Sequence, residues 1–195
     1  LQRLHLTEYV CGEALKAFEG LPKSYEAIHI RNTDYRSNYK YFFAKLKKKF
    51  KGKTVLVCSD DGGVIEYANN FFSDSKILSF SNKEKFNGKP LHLNSNYTND
   101  EDRKKATINA IVDLLMLGGA KVFYYIGGEH GHPSGYSVLA AYLCNNKGVL
   151  RSLLRIDLVF NAVSGRSKSV FLMPTRDRLL KMMPKFMRPL VKWVL

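Results

Sequence analysis

The run Thr54-Val55-Leu56-Val57-Cys58 is apolar without a break and ends in Ser59-Asp60-Asp61-Gly62-Gly63. A strand with one solvated face alternates apolar and polar residues. An unbroken run belongs to a parallel sheet covered on both faces. Two further segments read as buried strands, residues 26–31 and 120–126, and a shorter one spans 76–80. Between them lie segments with helical apolar spacing, at 4–19, 38–50, 64–72 and 102–117, with a last one from 137 to 143. Strands that alternate with helices predict an α/β fold: a mostly parallel sheet with helices on both faces. A length of 195 residues suits one substantial core.

Punctuation supports this order. Gly20-Leu21-Pro22, Gly52, Gly118-Gly119 and Asn145-Asn146 each follow a helical segment and read as its end. Residues 81–100 are polar, rich in Asn and Ser, and read as a long loop, a kind that tends to be functional. From about residue 147 the pattern becomes basic and amphipathic. The expected organisation is therefore 1–24 as an N-terminal helix or linker, 25–146 as the main domain, and 147–195 as a basic helical tail. There is no internal repeat.

The net charge is +14, from 31 basic and 17 acidic residues. Residues 151–195 hold ten Lys or Arg against Asp157 and Asp177, and Lys45 through Lys53 hold six lysines. Such an excess implies an anionic partner. No nucleic-acid signature accompanies it, and the aromatics follow helical core spacing, so nucleic acid is not expected. Residues 176–195 interleave basic side chains with Leu179, Leu180, Met183, Phe186, Leu190 and Trp193. That pattern suits a helix lying on an anionic membrane surface, broken at Pro184 and Pro189, or equally a closing helix packed on protein. No run of ~18 apolar residues is present to span a bilayer. The start, Leu1-Gln2-Arg3-Leu4-His5, lacks Met and a signal-peptide core, so the sequence reads as a fragment that is cytoplasmic or peripheral on the cytoplasmic membrane face. Cys11, Cys58 and Cys144 are far apart and odd in number, with neither metal spacing nor a disulfide framework.

The chemistry-bearing residues gather where strands should end. Ala27-Ile28-His29-Ile30-Arg31-Asn32-Thr33-Asp34 delivers an imidazole, a guanidinium and a carboxylate within six residues. His29 and Arg31, two apart, leave the strand on one face. Arg31 offers a planar donor fork suited to a diphosphate, and Asp34 can orient it. The plain alternative is a structural Arg–Asp ion pair beside a hydrogen-bonded histidine. Asp60 and Asp61 follow the next strand and read as ligand contacts or as a helix cap. Gly127 to Tyr136 is a glycine-rich turn before a helix, where Ser134, Gly135, Tyr136 and Ser137 bring hydroxyls and free amides to an anion, or form only a turn. Glu129, His130 and His132 lack a well-spaced fourth ligand, so no metal site is expected. There is no Gly-x-Ser-x-Gly elbow for a hydrolase.

The ordered series His29-x-Arg31-x-x-Asp34, Ser59-Asp60-Asp61, Asp113 within Ile111-Val112-Asp113-Leu114-Leu115, and Tyr136-Ser137 through Tyr142-Leu143 resembles the fucosyltransferase superfamily of α-1,2-, α-1,6- and protein O-fucosyltransferases. The resemblance spans roughly residues 25–146. It implies a Rossmann-like donor half of a GT-B glycosyltransferase that inverts configuration and needs no metal or other cofactor. In that family Arg31 would hold the diphosphate of GDP-fucose, His29 would contact the nucleotide, Asp113 would help to read guanine, and Ser137 with nearby amides would bind phosphate. Arg31 and His29 are then the expected catalytic residues. The acceptor would be a glycan or glycoconjugate. Asn32 stands where many members carry a second Arg, and only about 25 residues precede the first motif, too few for an acceptor domain. The general base is Glu129 or His132 only if their loop folds over the donor. The alternative is a non-catalytic module that binds nucleotide or polyanion.

Overall fold

The computed structural model of the chain describes residues 6–34, 36–80, 99–127, 131–155 and 167–172. The apolar runs lie side by side in one parallel sheet. Its strands are β1 (Glu26–Ile30), β2 (Thr54–Ser59), β3 (Lys76–Leu78), β4 (Val122–Ile126) and β5 (Lys168–Leu172), in the order β3-β2-β1-β4-β5. Register places Ile30 beside Ser59 and His29 beside both Cys58 and Tyr125, so the carboxyl ends of the three inner strands lie level. Six α-helices are described: α1 (Glu8–Glu19), α2 (Tyr39–Phe50), α3 (Gly62–Phe71), α4 (Asp100–Gly119), α5 (Gly135–Asn145) and α6 (Lys147–Leu154).

Alternation along the strands divides the core in two. Ala27, Leu56 and Phe123 turn to one face, where they meet α1, α4, α5 and α6. Ile28, Ile30, Val55 and Val57 turn to the other, against Phe42, Phe43, Leu46 and Phe50 of α2 and Val64 and Ala68 of α3. Both faces are covered, as the unbroken apolar runs require. The chain steps outward from β1 through β2 to β3, then returns to the other side of β1 with β4 and β5. The strand order therefore reverses between β1 and β4. In open α/β sheets ligands bind in the crevice outside the carboxyl ends at such a reversal.

Several boundaries move for physical reasons. Helix α1 begins at Glu8, where the Thr7 side chain accepts from the Val10 amide, and its buried Ala14 and Phe18 belong to the main core rather than to a linker. Helix α4 begins at Asp100, because the Asn99 side chain accepts from the Asp102 amide at 2.8 Å. Gly118 and Gly119 form the end of α4 as its last two residues, with Ala120 as the C-cap. Both must be glycine because neighbours stand too close for a side chain: a Cβ on Gly119 would lie 2.5 Å from both Phe18 and Tyr25, and one on Gly118 2.8 Å from Leu143. Lys147, half-buried, closes that helix by donating to the carbonyls of Gly118 and, at 2.9 Å, Ala120.

The boundary expected at 147 does not coincide with a break in the sheet. Leu150 and Leu154 of α6 are buried in the core against α4 and α5, and β5 pairs with β4 along five residues from Val122↔Lys168 to Ile126↔Leu172. Lys168–Leu172 is thus a strand, not part of a basic helix. Residues 176–195, expected to meet a membrane, lie outside the described residues, as does most of the long loop, 81–98. Among the described residues no helix is long and apolar enough to cross a membrane.

Candidate functional site

The reversal between β1 and β4 brings the end of one strand to the start of a helix. His29 is the fourth residue of β1, and alternation turns it to the α5 side of the sheet. There its Nδ1 and the Ser137 hydroxyl share a hydrogen bond of 2.7 Å. Ser137 Oγ in turn shares one of 3.0 Å with Ser134 Oγ. Ser134 is the N-cap of α5, and its side chain accepts from the Ser137 amide at 3.2 Å. All three residues are buried, with Ser137 at 1% exposure. The relay ties the carboxyl end of β1 to the first turn of α5 across the crevice.

The tip of that turn is open. A Cβ built on Gly135, the first residue of α5, would meet nothing within 4 Å. An exposed helix start with its N-cap in place presents amides and the positive end of the helix dipole to an anion. The loop before it is drawn tight at its base, where Gly127 and Pro133 form an antiparallel bridge. Gly127 must be glycine, because a Cβ there would lie 2.6 Å from the Gly131 carbonyl oxygen, and Gly131 itself has φ +78°. His132 is exposed on this loop, whereas Glu129 and His130 lie outside the described residues.

Tyr136 closes the floor. Its ring lies 4.7 Å from the His29 ring, and its hydroxyl donates to the Ala110 carbonyl of α4 at 2.7 Å. Burial, then the charge of Asp113, pushes its phenol well above the ordinary range. Asp113 is 1% exposed within α4. The structure brings it to Tyr136 in the α4–α5 layer, behind the crevice rather than on its surface.

Beyond the end of β1, Arg31 and Asp34 form a two-pronged pair, with Nε donating to Oδ1 at 2.9 Å and Nη2 to Oδ2 at 2.7 Å. The guanidinium beside it, chiefly through these hydrogen bonds, holds the Asp34 carboxyl below its usual range. Both side chains are about one-third exposed, at 32% and 33%. The fork is partly exposed and its planar shape suits an oxyanion, with Asp34 among its partners.

Asp60 and Asp61 clamp the neighbouring loop. Asp60 accepts from the Asn32 amide and from the Thr33 hydroxyl, both at 2.7 Å. Asp61 is the N-cap of α3, accepting from the Gly63 amide at 2.9 Å, and its other oxygen accepts from Asn32 Nδ2 at 2.8 Å. The Asn32 side-chain oxygen accepts from the Ser37 amide at 3.2 Å. Both the capping and the contact readings of the Asp pair thus bear on real bonds, but those bonds run to the loop that carries Arg31. Sequence reasoning missed Asn32, Thr33 and Ser37 as the clamp. The available signal was their type, since Asn, Thr and Ser side chains bond backbone at turns.

The residues expected at the site therefore fall into three groups. His29, Ser134, Gly135, Tyr136 and Ser137 meet at the crevice, with Asp113 behind them. Arg31 and Asp34 stand at its lip. Asp60 and Asp61 hold the lip in place. Among the described residues no three His, Cys, Asp or Glu side chains are grouped to hold a metal ion.

No protein-family profile matches the sequence, and no curated protein does. A solved structure, NodZ alpha-1,6-fucosyltransferase co-crystallised with GDP, is similar over 71% of this chain at 15% identity and a TM-score of 0.47. The chain spans 42% of that protein's length.

Proposed function

We propose that this chain is the donor-binding part of a glycosyltransferase, taking a nucleoside-diphosphate sugar at the crevice between β1 and β4. The observation that carries the reading is the buried relay His29–Ser137–Ser134, which fixes an open helix start against the strand that leads into Arg31. A diphosphate needs two such features together: amides aimed at one phosphate and a planar cation for the other. The motif series His29, Arg31, Asp34, Ser59-Asp60-Asp61 and Ser137 resembles fucosyltransferases, so GDP-fucose is the donor we propose and a glycan or glycoconjugate the acceptor.

In the proposed reaction an acceptor hydroxyl attacks the anomeric carbon, and the bond from that carbon to the diphosphate oxygen breaks. Negative charge grows on the diphosphate as it departs. Arg31 and the α5 amides stabilise that charge, a preorganised electrostatic role that costs no rearrangement at the moment of reaction. The acceptor proton passes to a base that the described residues do not identify. Arg31 must exchange Asp34 for the ligand or share its fork between them. His29 is a positioning residue in this scheme: it holds Ser137, and through it the first turn of α5, in register with β1.

Thermal denaturation with GDP, UDP and CMP tests the reading. A ligand that binds only the folded chain stabilises it by RT ln(1 + [L]/Kd), about 2.7 kcal/mol at a hundredfold excess over Kd. GDP is expected to raise the melting temperature by several degrees and UDP and CMP to do less. Equal protection by all three would remove the guanine assignment. No protection by any would leave the relay a structural feature.

A further inference from the structure

The amino-terminal rim of the sheet, opposite the crevice, is lined with lysines. Lys76 begins β3, Lys53 immediately precedes β2, Lys121 immediately precedes β4 and Lys168 begins β5. Backbone bonds hold them in line: the Lys76 amide donates to the Lys53 carbonyl at 2.9 Å, and the Lys168 amide to the Lys121 carbonyl at 3.2 Å. All four residues are exposed. At the central position stands Glu26, the start of β1, whose carboxylate is taken by Lys53. The last turn of α2 adds Lys47, Lys48 and Lys49, with Lys51 just beyond it. From Lys40 to Lys53 the sequence holds no acidic residue. Asp74, in the turn before β3 where its carbonyl accepts from the Gly52 amide, and Glu19, at the end of α1 before β1, are exposed acids on segments that lead into this rim.

Cations at a helix carboxyl end also complement its dipole, and that accounts for one or two of the α2 lysines. It does not account for a row that crosses four of the five strands. Five strands ~4.8 Å apart set a row about 19 Å long. The cations are lysines throughout, compact charges without the planar fork that selects a single phosphate geometry. Among the described residues, none of the exposed large apolar side chains (Tyr9, Tyr41, Phe80, Val138, Leu139, Tyr142 and Val149) belongs to the strand starts or to the last turn of α2. Stacking platforms for single-stranded nucleic acid need aromatics at the cationic surface. A broad lysine rim with no stacking group among the described residues suits a plane of negative charge.

We infer that this rim, Lys53, Lys76, Lys121 and Lys168 with Lys48 and Lys51 of the α2 end, docks the protein on an anionic membrane surface. The crevice at the other end of the strands then faces away from the lipid. The surface is distinct from residues 176–195 and is tested separately from them.

The test is co-sedimentation of the full chain with phosphatidylcholine vesicles, with and without phosphatidylserine. The wild type is expected to partition onto the serine-lipid vesicles alone and to leave them as salt rises. Each neutralised surface lysine should weaken partition by roughly fivefold. The variant Lys48→Gln/Lys51→Gln/Lys76→Gln/Lys121→Gln/Lys168→Gln should therefore lose roughly a thousandfold or more, while a tail variant, Arg176→Gln/Arg178→Gln/Lys181→Gln/Lys185→Gln, keeps more partition than the rim variant. Circular dichroism reports whether the rim variant is folded. If it is not, the pair Lys51→Gln/Lys121→Gln is read instead, with a loss of about twenty-five-fold expected. Partition of the rim variant equal to wild type overturns the inference. So does a wild type that ignores serine-lipid vesicles, or one that binds an oligothymidine but not the vesicles.

Discussion

Arg31 is the residue on which the functional reading turns, and its role separates cleanly from stability. Its pair with Asp34 is about one-third exposed on both sides, and pairs of that kind contribute at most about 1 kcal/mol. Arg31→Ala should therefore fold with little loss of melting temperature. Its affinity for GDP should fall by about 1.5–3 kcal/mol per lost charge-assisted bond, roughly ten- to a hundredfold in Kd. Calorimetric titration measures the loss, and Arg31→Lys should restore only part of it for want of the fork. A variant that unfolds would return Arg31 to the structural pair. A second residue makes a pH prediction. Burial lowers the Lys147 ammonium from 10.5 to about 8 in the folded chain. Above pH 8 the unfolded chain holds the proton that the folded chain has released, so this group makes stability rise with pH toward 10.5. Cys144 and Tyr25, raised by burial, act in the opposite sense near and above their ordinary values of 9.0 and 10.0. The signature is thus differential: urea midpoints between pH 8 and 9 should rise more for wild type than for Lys147→Met. At this scale the sequence showed His29, Arg31 and Asp34 as neighbours on a strand end. It could not show that Asp60 and Asp61 spend their oxygens on Asn32, Thr33 and Gly63, because those partners are settled only when two loops meet.

Among the elements, α5 couples fold to site most directly. Ser134 caps it and also touches Ser137. Ser134→Ala should cost about 1 kcal/mol of stability for the lost cap, seen as a lower denaturant midpoint. It should also weaken GDP binding, because the helix start frays where its amides meet the ligand. Loss of stability without loss of GDP affinity would detach the cap from the binding site. Elements with a strong period were legible: the apolar face of α2 and the unbroken run of β2 leave little choice. What was not legible was decided by distant neighbours. Gly118-Gly119 does end α4, but its reason is packing that the sequence does not show: Leu143, Phe18 and Tyr25 press against the two glycines. Lys168-Ser169-Val170-Phe171-Leu172 is a short strand on the outside of the sheet. Its mixed pattern, set in a basic stretch, resembles an amphipathic helix until β4 offers it a partner.

For the whole molecule, strand and helix order sufficed for the α/β class, but not for the strand order β3-β2-β1-β4-β5. That order follows from which strand ends can pair, and it creates the crevice. It also sets a length. The central strands run five and six residues, and at ~3.3 Å per residue they hold the crevice about 17–20 Å from the lysine rim. The Debye length at physiological ionic strength is about 8 Å. Solvent-exposed charges at the two ends of the sheet, about two screening lengths apart, are therefore largely screened from one another. Neutralising rim lysines should leave the dissociation constant for GDP unchanged within twofold at 0.15 M salt, and begin to weaken it only near 0.01 M, where the screening length grows to ~30 Å. Titrations at the two salt concentrations measure this. In the proposed scheme the sheet acts as a spacer between two charge-reading ends, and its strand length sets how far a donor at the crevice would stand from whatever the rim is bound to.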